Sequence, residues 1–317
     1  MTHMTRLTLA ACLTILAGCS SATSTVAAQS EADITDAVFD SRESACSAYA
    51  GSFTSSVLDV GRNVTFTGAV EIAQETESCT ISSNSIPNHD FNDGGMFANA
   101  VRAVAATVWI DGAPDEAALT TRLSLEYDNA VFLNGVKLDV LAAACYGVGG
   151  EPLGQERIGC FNSDTPWRYD PMYGTNGFGT DTNHAHTQPN GAYHYHGDPR
   201  AMYDLTGATE SGLIGFAADG YPIFGPFIDD NGVVRRVVSG FELKQGARVS
   251  QPGEGAFPGG IYDGRFVDDW EWTDAGDLDE CNGMTVDGVY GYYVTDTYPW
   301  VLACFKGTPD QSFRKGA

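Results

Sequence analysis

The feature that most restricts the fold is a short segment holding four of the six histidines, as two His-x-His pairs around a turn sequence. These residues are His184, His186, His194 and His196. Between the pairs, from Gln188 to Ala192, Pro and Asn suit a type I turn and Gly191 suits the left-handed position that follows. This is typical of a hairpin with a three-residue loop. That register places His186 opposite His194 and His184 opposite His196. We therefore predict that all four imidazoles lie on one face of the hairpin.

Four imidazoles that converge on one face suit a metal ion. Directly opposed Cα atoms lie about 4.5–5.5 Å apart and neighbours two along a strand about 6.6–6.8 Å. Four imidazolium ions at such distances would repel one another. A metal ion, a carboxylate or loss of protons must therefore relieve this repulsion. We predict that the four histidines form a site for a divalent transition metal, copper or zinc, which imidazole ligands favour, and that at least three of them converge on the ion. The alternative is a structural hairpin whose histidines bond to backbone and carboxylate groups.

Three further residues are candidates to orient the metal ligands. Tyr193 and Tyr195 adjoin the histidines of the second pair, and Asp219 offers a carboxylate that could fix the tautomer of a histidine. Asp219 precedes Gly220, however, and this dipeptide could equally turn a hairpin between two strands. The sequence identifies no catalytic residue.

Alternation of apolar and polar residues, with many β-branched side chains, predicts strands over most of the chain. The predicted strands are 64–73, 102–110, 121–126, 130–133, 212–217, 233–238 and 290–295. Asn134-Gly135, Asp219-Gly220 and Asn231-Gly232 are strong turn dipeptides, and the best helix candidate is the short segment 139–146. We predict a mainly β fold of antiparallel, sandwich-like sheets with long loops and few short helices.

The N-terminal segment is predicted to be an export signal followed by a tether. Arg6 precedes an apolar run, 7–17, that is too short to span a membrane as a helix. The run leads into Leu-Ala-Gly-Cys, which resembles the cleavage box of bacterial lipoproteins and predicts lipidation of Cys19. The alternative is a secretory signal cleaved near 27–29. We expect 1–18 to be the signal, 19–42 a flexible tether and 43–317 a single β-rich domain.

The predicted anchor and the charge of the chain define its expected surroundings. Several acyl chains give stable membrane attachment, and Ser20 after the lipidated cysteine favours the outer membrane by analogy with other lipoproteins. We therefore expect a lipid-anchored protein of the bacterial cell envelope, with the membrane and a metal ion as partners. The chain has 17 Lys and Arg against 41 Asp and Glu, a net charge of −24, which argues against nucleic-acid binding.

Six cysteines remain once Cys12 leaves with the signal and Cys19 carries lipid. An even number in an exported chain predicts disulfides. Six cysteines can pair in many ways, and proximity in sequence favours Cys46–Cys79, Cys145–Cys160 and Cys281–Cys304. A catalytic thiol is not expected if all six pair.

The chain also resembles a known family. Gly-Ala-Tyr-His-Tyr-His-Gly at 191–197 is similar to the signature of the YHYH domain. Further matching blocks are 134–136, 183–189, 215–225, 276–283, 297–300 and 304–307. The resemblance covers about 85–307 and implies an exported protein with suspected metal binding. The family often has a second Tyr-His near its C-terminal strand, where this chain has Tyr290-Gly291, so any role of that histidine is absent or taken over by tyrosine.

Three kinds of function follow from these features. The first is a metal-binding module of the cell envelope. The second is a metal-dependent hydrolase, in which a metal-bound water would use Asp219 or a tyrosine as its proton partner. A hydrolase would keep an open coordination position and a cleft, whereas a binding module would be saturated or shallow. The third is a structural or adhesion domain that holds no metal.

Overall fold

The structure is a computed structural model that describes residues 31–316, which belong to one compact unit. The predicted export signal and the predicted lipidation site, Cys19, lie outside the described residues. Strands and irregular loops dominate the described range. Its helices are short 3-10 turns, namely Cys46–Tyr49, Arg200–Met202, Val267–Asp269 and Gln311–Phe313. Between residues 31 and 316 no helix has the length and apolar character needed to cross a membrane.

The first large sheet has five strands that are neighbours in the order of the chain. They are Ala32–Asp33, Gly51–Asp59, Val64–Gln74, Ser78–Ser83 and Ala106–Asp111. All pairings are antiparallel except the first, between the two N-terminal strands. Val70 and Ile72 point into the core and alternate with exposed residues, Ala69 and Glu71, as expected of a sheet with one buried face.

The second large sheet has eight strands and is mixed. In spatial order they are Gly283–Val286, Val289–Tyr293, Pro222–Phe224, Leu213–Ala217, Ala130–Phe132, Lys137–Leu138, Tyr193–Tyr195 and Ala185–Thr187. The last two strands form the predicted histidine hairpin, which therefore lies at one edge of the sheet. Its inner strand pairs in parallel with Lys137–Leu138.

Three two-stranded ribbons complete the fold. They are Phe227–Asp230 with Val233–Arg236, Phe241–Leu243 with Trp270–Trp272, and Thr121–Arg122 with Cys304–Phe305. The Asn231-Gly232 dipeptide closes the first ribbon with φ values of 56° and 87°, the left-handed pair that a type I′ turn requires. This turn prediction is confirmed.

One buried apolar cluster contains side chains from both large sheets, including Val70 and Ile81 from the first and Phe132, Tyr195 and Phe216 from the second. Burial of this shared cluster is the main stabilising contribution to such a fold. The predicted class, mainly β with antiparallel-rich sheets and few short helices, is confirmed.

The predicted helix at 139–146 is wrong. The Asp139 amide donates to the Tyr195 carbonyl at 2.8 Å, and the Val140 amide donates to the Asn129 side chain at 2.8 Å. The backbone thus uses its donors across the sheet instead of along a helix. The segment was short enough for tertiary pairing to override its weak helical preference.

Part of the predicted tether is packed against the domain, so the flexible tether expected over 19–42 is wrong for its described part, 31–42. Ala32–Asp33 adds a strand to the first sheet. The Arg42 guanidinium donates to the Ser211 carbonyl at 2.5 Å and lies 4.6 Å from the centre of the Phe224 ring. Polar, low-complexity composition did not reveal these specific partners.

The cysteines pair as sequence proximity suggested. The disulfides are Cys46–Cys79, Cys145–Cys160 and Cys281–Cys304. The second of them closes a loop of the chain beside the histidine hairpin, and residues of this loop line the cavity described below. The disulfide therefore restrains a wall of that cavity.

Replacing Cys145 and Cys160 together by Ser should lower the free energy of unfolding by about 3 kcal/mol. The reason is that a loop of 15 residues is no longer closed in the unfolded chain, which gains conformational entropy of about that value. Chemical denaturation of oxidised wild type and of the double variant measures the difference. Equal stabilities would contradict a structural role for this disulfide.

Candidate metal centre

The hairpin has the register that its loop predicts. The Gln188 amide donates to the Ala192 carbonyl at 2.9 Å, and Gly191 has a left-handed φ of 90°. His186 is paired with His194 across the two strands. A glycine at this position of the loop avoids the strain that a side chain would cause, so local turn chemistry fixes which residues face each other.

Three of the four histidines come together. The Nε2 atom of His196 lies 3.1 Å from Nε2 of His194 and 3.0 Å from Nε2 of His186. One potential ligand atom from each residue lies within 4.8 Å of the others. His194 and His196 are buried, whereas His186 is half-buried. The cluster therefore presents three imidazole nitrogens to one point.

His184 does not join this cluster, although it follows the predicted register. The His196 amide donates to the His184 carbonyl at 2.8 Å, but His184 itself has a left-handed φ of 59°. Its Nδ1 atom lies 3.0 Å from the Asp198 carbonyl, and its ring packs against Trp300 with centroids 6.5 Å apart. The expected face of four imidazoles is thus a face of three, because alternation fails where the backbone leaves the extended conformation.

Burial favours the neutral form of the three clustered imidazoles. Burial lowers the pKa of His186, and it lowers the pKa values of His194 and His196 well below the usual range, with further depression from the neighbouring histidines. Nδ1 of His186 lies 2.6 Å from the Phe178 carbonyl. A neutral ring must donate there, which leaves a lone pair on Nε2. Neutral imidazole is the form that binds metals.

Protons alone do not satisfy the Nε2 contacts. A proton on Nε2 of His196 can point at only one of its two neighbours, and the remaining contact then brings nitrogen lone pairs together. Zinc holds imidazole nitrogens at about 2.0–2.1 Å, so two nitrogens of a tetrahedral site lie about 3.3 Å apart. The observed separations of 3.0 and 3.1 Å are close to this value. The donor set and its spacing therefore fit a transition-metal ion.

The cluster lies in the wall of an open cavity of about 670 Å³. Other lining residues include Leu141, Phe178 and Ile158, so much of the wall is apolar. Three protein ligands beside a cavity correspond to a site with a coordination position left for water or another molecule. A saturated or shallow site would lack this space.

A carboxylate that sequence reasoning missed as a site residue, Asp139, also lines the cavity. The parallel pairing sets His194 against Lys137 and Tyr195 against Leu138, so the next step of the register brings Asp139 beside His196, on the same face. Asp139 Oδ2 accepts from Lys315 Nζ at 2.5 Å. Burial raises the pKa of Asp139, although Lys315 opposes this effect. The sequence predicted a helix at 139–146 and therefore did not place Asp139 beside the hairpin.

The two tyrosines of the hairpin point away from the cluster. The Tyr193 hydroxyl donates to Asp181 Oδ2 at 2.9 Å. The Tyr195 hydroxyl lies 2.6 Å from His89 Nε2 and 3.0 Å from Asn134 Nδ2. Both tyrosines are fully buried in the main core. Strand alternation thus assigns them to the core, and neither orients a clustered histidine as expected.

Asp219 bonds to groups other than the histidines. Its Oδ2 atom accepts from the Tyr292 hydroxyl at 2.6 Å and from the Gly307 amide at 2.9 Å. With Gly220 at a φ of 86°, it forms the turn between Leu213–Ala217 and Pro222–Phe224. The turn interpretation of this dipeptide is therefore the one that the structure supports, and Asp219 stabilises the junction with the C-terminal segment.

Metal affinity should change little between about pH 8 and pH 6.5 and should fall at lower pH. Burial lowers the pKa values of the three histidines below the ordinary value of about 6.5, so protons compete for Nε2 only in more acid solution. Zinc content after dialysis against zinc-buffered solutions at successive pH values measures this. A tenfold loss of affinity between pH 8 and pH 7 would be incompatible with buried, neutral ligands.

Comparison with known proteins identifies one family. The family model described as YHYH protein matches residues 107–307, which include the hairpin, Asp139 and all eight strands of the second large sheet. No curated protein and no solved structure matches the chain.

Proposed function

Because the chain belongs to the YHYH protein family and its hairpin brings three neutral imidazoles together, we propose that it binds one divalent transition-metal ion. The proposed ligands are His186, His194 and His196. The observation that carries the proposal is the pair of Nε2 contacts that His196 makes at 3.0 and 3.1 Å. A single cation between the three nitrogens satisfies all of them at once.

Copper or zinc is the proposed ion. Imidazole nitrogens favour these metals, whereas magnesium and calcium prefer oxygen ligands. The six cysteines of the described range are joined in disulfides, so their thiolates do not compete with the histidines. His184, which the sequence placed among the ligands, is not part of the proposed site.

Metal-dependent hydrolysis is a second candidate function, and the open cavity is the observation that favours it. A metal ion can activate water when its coordination sphere is incomplete. The carboxylate placed to take up the proton is Asp139, since it lies beside His196 in the register and lines the same cavity. Asp219, the earlier candidate, is bound to Tyr292 instead.

The proposed location is the bacterial cell envelope, with a lipid anchor on Cys19 and attachment to the outer membrane. The support is the Leu-Ala-Gly-Cys sequence after a short apolar run, together with three disulfides, which persist in oxidising compartments. Mass spectrometry of the N-terminus of the protein from its native host tests the anchor. Acyl mass on Cys19 supports it, and an unmodified terminus near Gln29 contradicts it.

Calorimetric titration of untagged, metal-free protein with zinc or copper chloride tests the proposed metal site. We expect saturable binding of one ion per chain. Release of protons is not expected at pH 7, because the pKa values of the ligands are already low. Absence of saturable binding for both metals would instead favour a structural or adhesion domain without metal.

A further inference from the structure

The cavity beside the three histidines has an apolar rim that is exposed to solvent. Met96, Ile158 and Phe161 line the cavity with exposed fractions of 63%, 51% and 66%. Leu141 and Phe178 continue this apolar wall inward. Large exposed apolar side chains that line one cavity are typical of a binding surface. The molecule that covers them must itself have an apolar body.

The charges of the lining favour an anionic headgroup. The lining contains Arg157 and Lys315 but only one carboxylate, Asp139, which is paired with Lys315, so Arg157 leaves the lining with an excess of positive charge in a chain whose net charge is −24. Imidazole binds a metal ion in its neutral form, so three histidine ligands do not compensate the charge of a divalent ion. A metal held by these histidines would make the inner end of the cavity strongly positive, and one anionic ligand would reduce this excess.

We propose that the cavity binds an amphiphilic monoanion, such as a carboxylate with a medium-length apolar chain; this inference rests on the proposed metal site. The headgroup occupies the open coordination position beside Lys315, and the chain lies along the wall formed by Leu141, Ile158 and Phe161. A volume of about 670 Å³ is in the range of small-molecule sites, about 300–1,000 Å³. The ligand class thus follows from a charged inner end and an apolar outer wall.

The loop closed by Cys145 and Cys160 offers a matched pair of variants. Ile158 and Leu153 both lie in this loop and are exposed, at 51% and 61%. Ile158 lines the cavity, whereas Leu153 is not among its lining residues. Because both side chains are on the surface, replacement by Ser should leave the fold intact in either case.

The experiment is calorimetric titration of the zinc-loaded wild-type protein with sodium octanoate and with sodium acetate. Octanoate should bind at least about 50-fold more tightly, because each buried methylene strengthens binding about fourfold and burial of three gives this value. Removing zinc should weaken octanoate binding at least about tenfold. Ile158→Ser should weaken it about fivefold in the zinc-loaded protein, and Leu153→Ser should leave it within about twofold of wild type.

The outcomes separate this inference from the proposed metal site. If the protein retains zinc but binds octanoate no more tightly than acetate, the inference is overturned and the metal site stands. Octanoate binding that is indifferent to zinc, or that Leu153→Ser weakens as much as Ile158→Ser, also overturns it. A protein that retains neither zinc nor copper overturns the proposed metal site, and with it this inference.

Discussion

Replacing His196 by Ala is expected to weaken metal binding by more than about 100-fold. His196 is the central residue of the cluster, since its Nε2 atom lies within 3.1 Å of both other imidazoles. Loss of a group that merely supports a ligand costs about 10- to 100-fold in affinity, so loss of a ligand should cost more. Competition with a chromophoric chelator measures the affinity of wild type and variant.

His184→Ala is the matched control for this experiment. His184 lies in the same segment and in the same His-x-His pattern, but its Nδ1 atom faces the Asp198 carbonyl and its ring packs on Trp300. We expect the metal affinity of His184→Ala to lie within about threefold of that of wild type. The substitution removes neither a proposed ligand nor a group that is hydrogen-bonded to one. Equal losses in His184→Ala and His196→Ala would show that the measured effect reflects the hairpin as a whole.

Replacing Tyr195 by Ala should lower the free energy of unfolding by about 3–5 kcal/mol, as deletion of large aromatic side chains from protein cores does. Tyr195 is fully buried, with Phe132 against its ring at a centroid distance of 5.1 Å. Its hydroxyl also lies between His89 and Asn134. Urea denaturation of the metal-free proteins measures the change without a contribution from metal binding.

Tyr195→Phe separates packing from hydrogen bonding. This variant keeps the ring and removes the hydroxyl, which leaves buried polar groups of His89 and Asn134 without this partner, at a cost of about 1–3 kcal/mol. Its metal content should equal that of wild type, because the tyrosine side chain lies in the core. A large loss of metal from a Tyr195→Phe variant that remains folded would contradict this assignment to the core.

The hairpin was predictable because its determinants are local. Pro189, Asn190 and Gly191 specify the loop, the loop specifies the register, and the register places His186 opposite His194. The strand at 64–73 was predictable from the alternation of its own residues, and the strand that begins at Val233 from the Asn231-Gly232 turn directly before it. The disulfides joined near neighbours in the sequence, so proximity was sufficient.

The parts that were not predictable depend on distant contacts. His184 has a left-handed backbone conformation, which removes its side chain from the cluster. A His-x-His pattern does not indicate that conformation. Asp139 enters the site only because its strand pairs in parallel with the inner hairpin strand, which lies more than fifty residues away in the sequence. The cavity wall is built from loops such as the one that Cys145 and Cys160 close. Long loops without periodicity give no indication of which face they cover.

The most direct test of the account is the metal content of untagged protein purified from its native compartment without added metal. Inductively coupled plasma mass spectrometry should find about one equivalent of copper or zinc in wild type and almost none in a His194→Ala/His196→Ala double variant that remains folded, because two of three ligands are gone. Metal content that is the same in both proteins, or that is negligible in wild type, would contradict a three-histidine metal centre.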